Sequence, residues 1–201
     1  VTVPEQDFST QLESWLTRDG DKTLGALADE FEARGFAVLV VMLMFLPALP
    51  IPTGGVTHVF ELVTLIIAGQ MVLGRRTLWL PDRFRNRPLG AATTGKAIPF
   101  IIKRVRWFER ISNPRLAMLF RQRWFIRFIG LLIIAFTIGA AIAPPFSGLD
   151  TLPALGVVVI ALSIILEDVV VLAIGFVIGT GGIVLIVTIG AALARIIKGL
   201  F

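Results

Sequence analysis

The chain has 201 residues, of which 56% are hydrophobic and only 16% charged, with a formal charge of +5. Soluble domains carry about 25% charged residues, so this composition places the chain among integral membrane proteins. The absence of cysteine and the single histidine, His58, exclude disulfides, thiolate metal sites and any metal site built on two histidines.

The charge is unevenly spread. Residues 1–34 hold three basic residues against eight acids, whereas residues 75–127 hold fourteen against two. A basic segment between hydrophobic spans is read by the positive-inside rule rather than as a nucleic-acid site. The N-terminus and this connector are therefore expected in the cytoplasm, with no nucleic-acid partner. Residues 1–34 lack a basic start followed by an apolar run, so no cleaved signal peptide is expected.

Along residues 1–34, Phe8, Leu12, Trp15 and Leu16 recur at helical spacing until "RDGD" stops them. Leu24, Leu27, Ala28 and Phe31 repeat the pattern, with Glu30 and Arg34 spaced for an i,i+4 pair. Two short amphipathic helices with acidic polar faces are expected. Anionic lipid would repel such faces, so the helices should pack on the protein itself.

Residues 36–74 form a first helical hairpin, with an apolar arm broken by Pro47, Pro50 and Pro52, then Gly54 and Gly55, and a second arm from Val56. A full span needs about 20 apolar residues. Each arm is marginal, so the pair is either two short spans or a re-entrant hairpin. The basic connector, 75–127, intersperses Trp79, Trp107 and Trp124 with arginines, as at a headgroup layer. Arg115 to Arg127 reads as an interfacial amphipathic helix. Residues 128–166 make a second hairpin broken at Pro144, Pro145 and Gly148. Residues 169–194 form a final transmembrane helix, whose Gly175 and Gly179 have the spacing of close helix packing.

The two hairpins are related. A shift of 94 residues lays Pro50 on Pro144, Gly54 on Gly148 and Thr57 on Thr151. Each half reads as amphipathic helix, apolar arm, Pro/Gly break, apolar arm. Paired broken segments point to a binding site in transporters. Irregular backbone at membrane depth must be buried in protein or line a watery cavity. The alternative is that each break is an ordinary surface loop.

Ionisable groups inside the apolar arms are the candidate substrate or ion pathway: His58, Glu61, Gln70, Glu167 and Asp168. A carboxylate at the bilayer centre costs several kcal/mol and usually serves function. His58 and Glu61 are i,i+3 neighbours able to share a proton, with Thr64 on the same broad face, whereas Gln70 points the opposite way. Glu167 and Asp168 are either the turn joining two helices or a buried acidic pair, for which Arg75 and Arg76 are candidate partners. Arg75, Arg76, Trp79 and Arg83 are the candidate headgroup-binding set. No nucleophile, metal or cofactor motif is present, so an enzyme is not expected.

The run "LPALPIP" followed by "GQMVLGRRTLWLPDRF" resembles the signature of the ExoD family of exopolysaccharide-synthesis membrane proteins. "KTLGALADEFEARGFAVLVVMLMFLPALP" and "PPFSGLDTLPALGVVVIALSIILED" extend the likeness from Leu24 to Gly190, with Gly69 to Pro81 its most specific piece. The family pattern implies an Arg-Asp-Gly-like end to the second arm, where this chain has Glu167-Asp168-Val169. The resemblance implies a bacterial inner-membrane protein linked to exopolysaccharide production, without fixing a reaction.

The expected fold is thus an all-α, polytopic, internally duplicated membrane domain over 1–201 with interfacial amphipathic helices. The expected function is transport or handling of an anionic amphiphile, such as a lipid-linked carrier phosphate, with Glu61 and the Glu167–Asp168 pair coupling protons or cations. The alternatives are a scaffold of a polysaccharide-synthesis complex and a proton or cation transporter. Membrane lipid and polysaccharide-synthesis proteins are the expected partners, with room for a homo-oligomer.

Overall fold

A computed structural model describes residues 8–50, 57–75, 116–143 and 147–200, and within the connector residues 79, 85, 86, 88–90, 94, 95, 98, 99, 102, 103, 106 and 107. The described residues are helical, with one isolated β-bridge, Thr23 to Pro88. The helices are α1 (Phe8–Thr17), α2 (Leu24–Met44), α3 (Thr57–Val72), α4 (Ala117–Phe120), α5 (Arg123–Ile142), α6 (Thr151–Leu166) and α7 (Val169–Leu200). Pro52, Gly54, Gly55, Arg76, Arg83, Pro144 and Pro145 lie outside the described residues.

The expected amphipathic helix at Leu24 and the first apolar arm form one helix, α2. Thr23 caps it, its hydroxyl accepting from the Ala26 N–H at 3.1 Å. No proline stands between Leu24 and Met44, and Gly35 alone is too weak a breaker to stop a packed helix. Past Met44 the chain keeps turning, with the Ala48 N–H on the Met44 carbonyl, as far as Pro50.

α1 folds back on α2. Phe8 and Trp15 meet the Phe31 ring edge-on at 5.2 and 6.3 Å between centroids, and Phe8, Leu12 and Trp15 are buried. Its acidic face meets the basic connector, Arg106 pairing with Glu13. The amphipathic helix thus packs on protein, and its one acid, Glu13, finds an arginine of the same chain. The expected Glu30–Arg34 pair is not formed: Glu30 takes Arg18 at 3.2 Å, and Arg34 reaches Glu167 instead. The described part of the expected Arg115–Arg127 helix, residues 116–127, is also not one helix. Leu116 is left-handed (φ 61°), α4 is a single turn, and α5 restarts at Arg123.

Glycines set the close approach of α6 to α7 and of α3 to α5. A Cβ on Gly156 would lie 2.5 Å from the Gly179 Cα, one on Gly175 would lie 2.8 Å from Ile160, and one on Gly182 would lie 2.5 Å from Pro153. These contacts fix α6 and α7 as antiparallel in a single register, with backbones close enough to exclude side chains. Gly130 of α5 similarly meets Ala68, Met71 and Val72 of α3, and Gly74 meets Arg127. α3 and α5 are therefore antiparallel as well. α2 packs on α3 and α6, and α5 packs on α3, α6 and α7.

α2, α5 and α7 consequently run one way, and α3 and α6 the other. One end of the bundle gathers Arg34, Gly74, Arg123 and Glu167; call it the arginine end. The opposite, proline end holds the tips of both hairpins. α3 and α6 are sixteen residues each and begin and end 94 positions apart.

α5 and α7 are long and apolar enough to cross a membrane, and α7 is mostly unburied. Val170, Ile174, Val177, Val184 and Val187 on α7, and Val59, Leu62 and Ile66 on α3, are exposed. Apolar faces of this extent suit lipid rather than water, which suggests membrane association.

Candidate functional site

Two polar sites stand out in this apolar bundle, one at each end.

At the arginine end a cavity of about 520 Å³ opens between α2, α3, α5 and the α6–α7 turn. Its lining includes Arg34, Arg75, Arg121 and Arg123 against Glu30 and Glu167. Arg34 donates to Glu167 Oε1 at 2.7 Å, and Glu30 is taken by Arg18. Arg75 and Arg123 have no acid partner among the described residues. Among the described lining residues, Arg75 and Arg123 are guanidiniums without an acid, which makes this part of the cavity basic, and guanidinium is suited to planar recognition of phosphate and carboxylate.

Local sequence explains how Arg75 is placed. Gly74, at φ 72°, ends α3 in a Schellman turn: the Arg75 N–H returns to the Gln70 carbonyl and the Gly74 N–H to the Met71 carbonyl. The end of α6 repeats the device with Glu167 left-handed at φ 51° and the Asp168 N–H on the Ser163 carbonyl. Asp168, buried, then caps α7 by accepting from the Val170 N–H at 2.8 Å. Glu167 and Asp168 are thus the turn between two helices. Glu167 has Arg34 as its partner rather than Arg75, because α2 lies against the α6 end; Arg76 lies outside the described residues.

Gln70 is buried, and both ends of its amide are used. Its Nε2 donates to the Trp79 carbonyl at 3.0 Å, and its Oε1 accepts from the Trp79 N–H at 2.6 Å. It therefore holds the connector against α3, leaving the exposed Trp79 ring beside the end of the bundle.

Nearer the proline end, Glu61 is 1% exposed. His58 Nδ1 lies 2.7 Å from its Oε2, and the His58 side chain is 47% exposed. The other oxygen, Oε1, is buried without a hydrogen-bond partner, as are the hydroxyls of Thr64 and Thr137. Thr137 escapes notice in the sequence, although it is the lone hydroxyl in the apolar run 128–143. Gly148, at φ 67°, and Pro50 mark the described parts of the two tips.

The family profile described as "Exopolysaccharide synthesis, ExoD" matches residues 8–188. The chain belongs to the ExoD family. Protein ExoD of Rhizobium meliloti is 31% identical over 155 residues, covering 73% of this chain and 61% of that protein. An uncharacterized protein of Synechocystis sp. is 26% identical over 172 residues, 83% of this chain and 74% of its own. The chain thus spans about three quarters and three fifths of these two relatives. No solved structure matches. The ExoD match includes α1, which the signature beginning at Leu24 leaves out, in keeping with the packing of α1 on Phe31. Membership links the chain to exopolysaccharide synthesis. Arg34, Arg121 and Arg123 join the candidate site only through the fold, since each lies far in sequence from Arg75.

Proposed function

We propose that the protein binds and moves an anionic amphiphile, such as a lipid-linked carrier phosphate, across the bacterial inner membrane in support of exopolysaccharide synthesis. The observation that carries this reading is the basic cavity, in which Arg75 and Arg123 lack acid partners among the described residues, beside exposed apolar helix surface such as Leu73. A phosphate head would lie among the guanidiniums while its chain lay along the lipid-facing helices. The arginine end faces the cytoplasm in this reading, in accord with the basic connector.

The helix registers bear on where the hairpin tips lie in this reading. Gly182 is level with Pro153 at the start of α6. α7 therefore runs alongside α6 for only fourteen residues, about 21 Å, and continues for about 27 Å more. Its apolar stretch Val169–Ala192 is about 36 Å long, enough for a hydrocarbon core of about 30 Å. With a membrane seated on α7 and the arginine end at one face, α5, itself about 30 Å long with Gly139 against Ile183, carries the second tip close to the far edge of the core in this reading. The duplication read from the sequence accords with the swapped packing, each half's first arm lying on the other half's second arm.

The test uses the purified protein in nanodiscs, titrated with a polyprenyl phosphate and with the corresponding alcohol. Binding of the phosphate alone, weakened at least tenfold by Arg75→Ala and Arg123→Ala together, is expected. Equal binding of alcohol and phosphate, or undiminished binding and proteoliposome flux in the double variant, refutes the reading and leaves the scaffold.

A further inference from the structure

The cluster nearer the proline end does different chemistry from the arginine cavity. Serine and threonine in helices ordinarily return their hydroxyl to a carbonyl three or four residues back. Ser163 does so at 2.6 Å to Ile160, Thr188 at 3.0 Å to Leu185 and Thr17 at 3.0 Å to Glu13. Thr64 and Thr137, both fully buried, do not.

The α3–α5 register brings them together. Gly130 touches Ala68 and Met71, and Gly74 touches Arg127, so numbers facing one another sum to about 200. Thr137 is seven residues, two helical turns, beyond Gly130. Thr64 is seven residues before Met71. Seven residues return to the same face. Thr137 and Thr64 therefore face each other at one level, and Glu61, seven residues before Ala68, faces buried Ala140 one turn further on. Three buried oxygens without hydrogen-bond partners, Glu61 Oε1, Thr64 Oγ1 and Thr137 Oγ1, thus share one interface.

We infer that these oxygens form a binding site for a monovalent metal cation, with sodium as the ligand. Hard cations take carboxylate, hydroxyl and carbonyl oxygens. A single carboxylate balances one positive charge, which disfavours a divalent ion. A proton on Glu61 would satisfy one oxygen and leave both threonine hydroxyls without reason to forgo their helix carbonyls. With the carboxyl ionised, the His58 Nδ1–H donates to Oε2 and leaves Oε1 for the ion. The half-exposed His58 ring marks the side from which the ion enters. The site rests on the membrane placement proposed above and gives the coupling role of Glu61 a ligand. It does not depend on which anion the arginine cavity takes, for Glu61 lies eleven residues, about 17 Å, before the end of α3 at Val72, and Arg75 lies beyond that end.

The experiment is thermal unfolding of the full chain in detergent, in sodium chloride, potassium chloride or choline chloride at matched ionic strength. Sodium is expected to raise the midpoint saturably by several degrees over choline, and potassium by less. Thr64→Val and Thr137→Val, which keep side-chain shape, should each weaken the apparent sodium affinity at least tenfold while leaving the midpoint in choline unchanged or higher. Binding of polyprenyl phosphate, measured on the same samples, should persist in both variants, so failure here is separable from failure of the anion reading. Equal midpoints in sodium and choline overturn the proposal, as does an unaltered sodium shift in the Thr64→Val/Thr137→Val double variant.

Discussion

Arg34 and Glu167 are 133 positions apart in sequence and 2.7 Å apart in the fold. Their side chains are 21% and 15% exposed, so the pair is largely withdrawn from solvent. It ties the first apolar arm to the turn joining α6 and α7 and sets the wall of the basic cavity.

Removing one partner strands the other. Arg34→Ala or Glu167→Gln should each destabilise the protein by about 2 kcal/mol, between the values for exposed and fully buried pairs. Glu167→Gly should lose less than Glu167→Gln, because glycine relieves the left-handed backbone at that position by about 1 kcal/mol. Unfolding of the three variants in detergent, compared in parallel, checks the order.

The glycine contact of α6 with α7 makes a steric prediction. Gly156→Val should cost about 3 kcal/mol or more, since even its Cβ would overlap the Gly179 backbone. Gly181→Ala, on the same helix pair but with nothing within 4 Å of the added methyl, should be neutral or stabilising by up to about 1 kcal/mol. A temperature ramp followed by size-exclusion chromatography distinguishes the two.

Gln70 presents a donor and an acceptor to one peptide unit, that of Trp79. Gln70→Leu should release it, and the Trp79 amide should exchange with solvent roughly tenfold faster, the equivalent of about one hydrogen bond. Gln70→Glu keeps the acceptor for the Trp79 N–H but turns a second acceptor on its carbonyl, so an intermediate rate is expected. Hydrogen exchange read by mass spectrometry resolves the three.

The chain lacks cysteine, which makes depth measurable. Pro50→Cys and Ser147→Cys, at the two tips, should react with a charged maleimide roughly tenfold or more slowly than Trp107→Cys from either membrane face, since the hydrocarbon core excludes water. Rapid one-sided labelling of both tips would mark ordinary loops instead and would remove the passage from the proposed function.

The sequence by itself determined the helical, apolar character of the chain, because composition and span length follow from the cost of burying backbone in lipid. It also determined the ends of α3 and α6: both stop where glycine or an acidic pair halts an apolar run. The pairing of His58 with Glu61 was legible too, since i,i+3 spacing on one helix is local geometry. Only the tertiary structure decided which distant groups meet. Glu30 and Arg34 are well spaced for each other, yet each takes a partner elsewhere, because helix packing brings Arg34 to the less exposed Glu167. Gln70 reads as an intramembrane polar group, and the fold turns it into a clamp on Trp79. Thr137 reads as one hydroxyl among apolar residues, and its place opposite Thr64 arises from a register set by Gly130. A one-dimensional pattern records the spacing along a helix. Which faces of two helices meet depends on where small residues allow their backbones to approach.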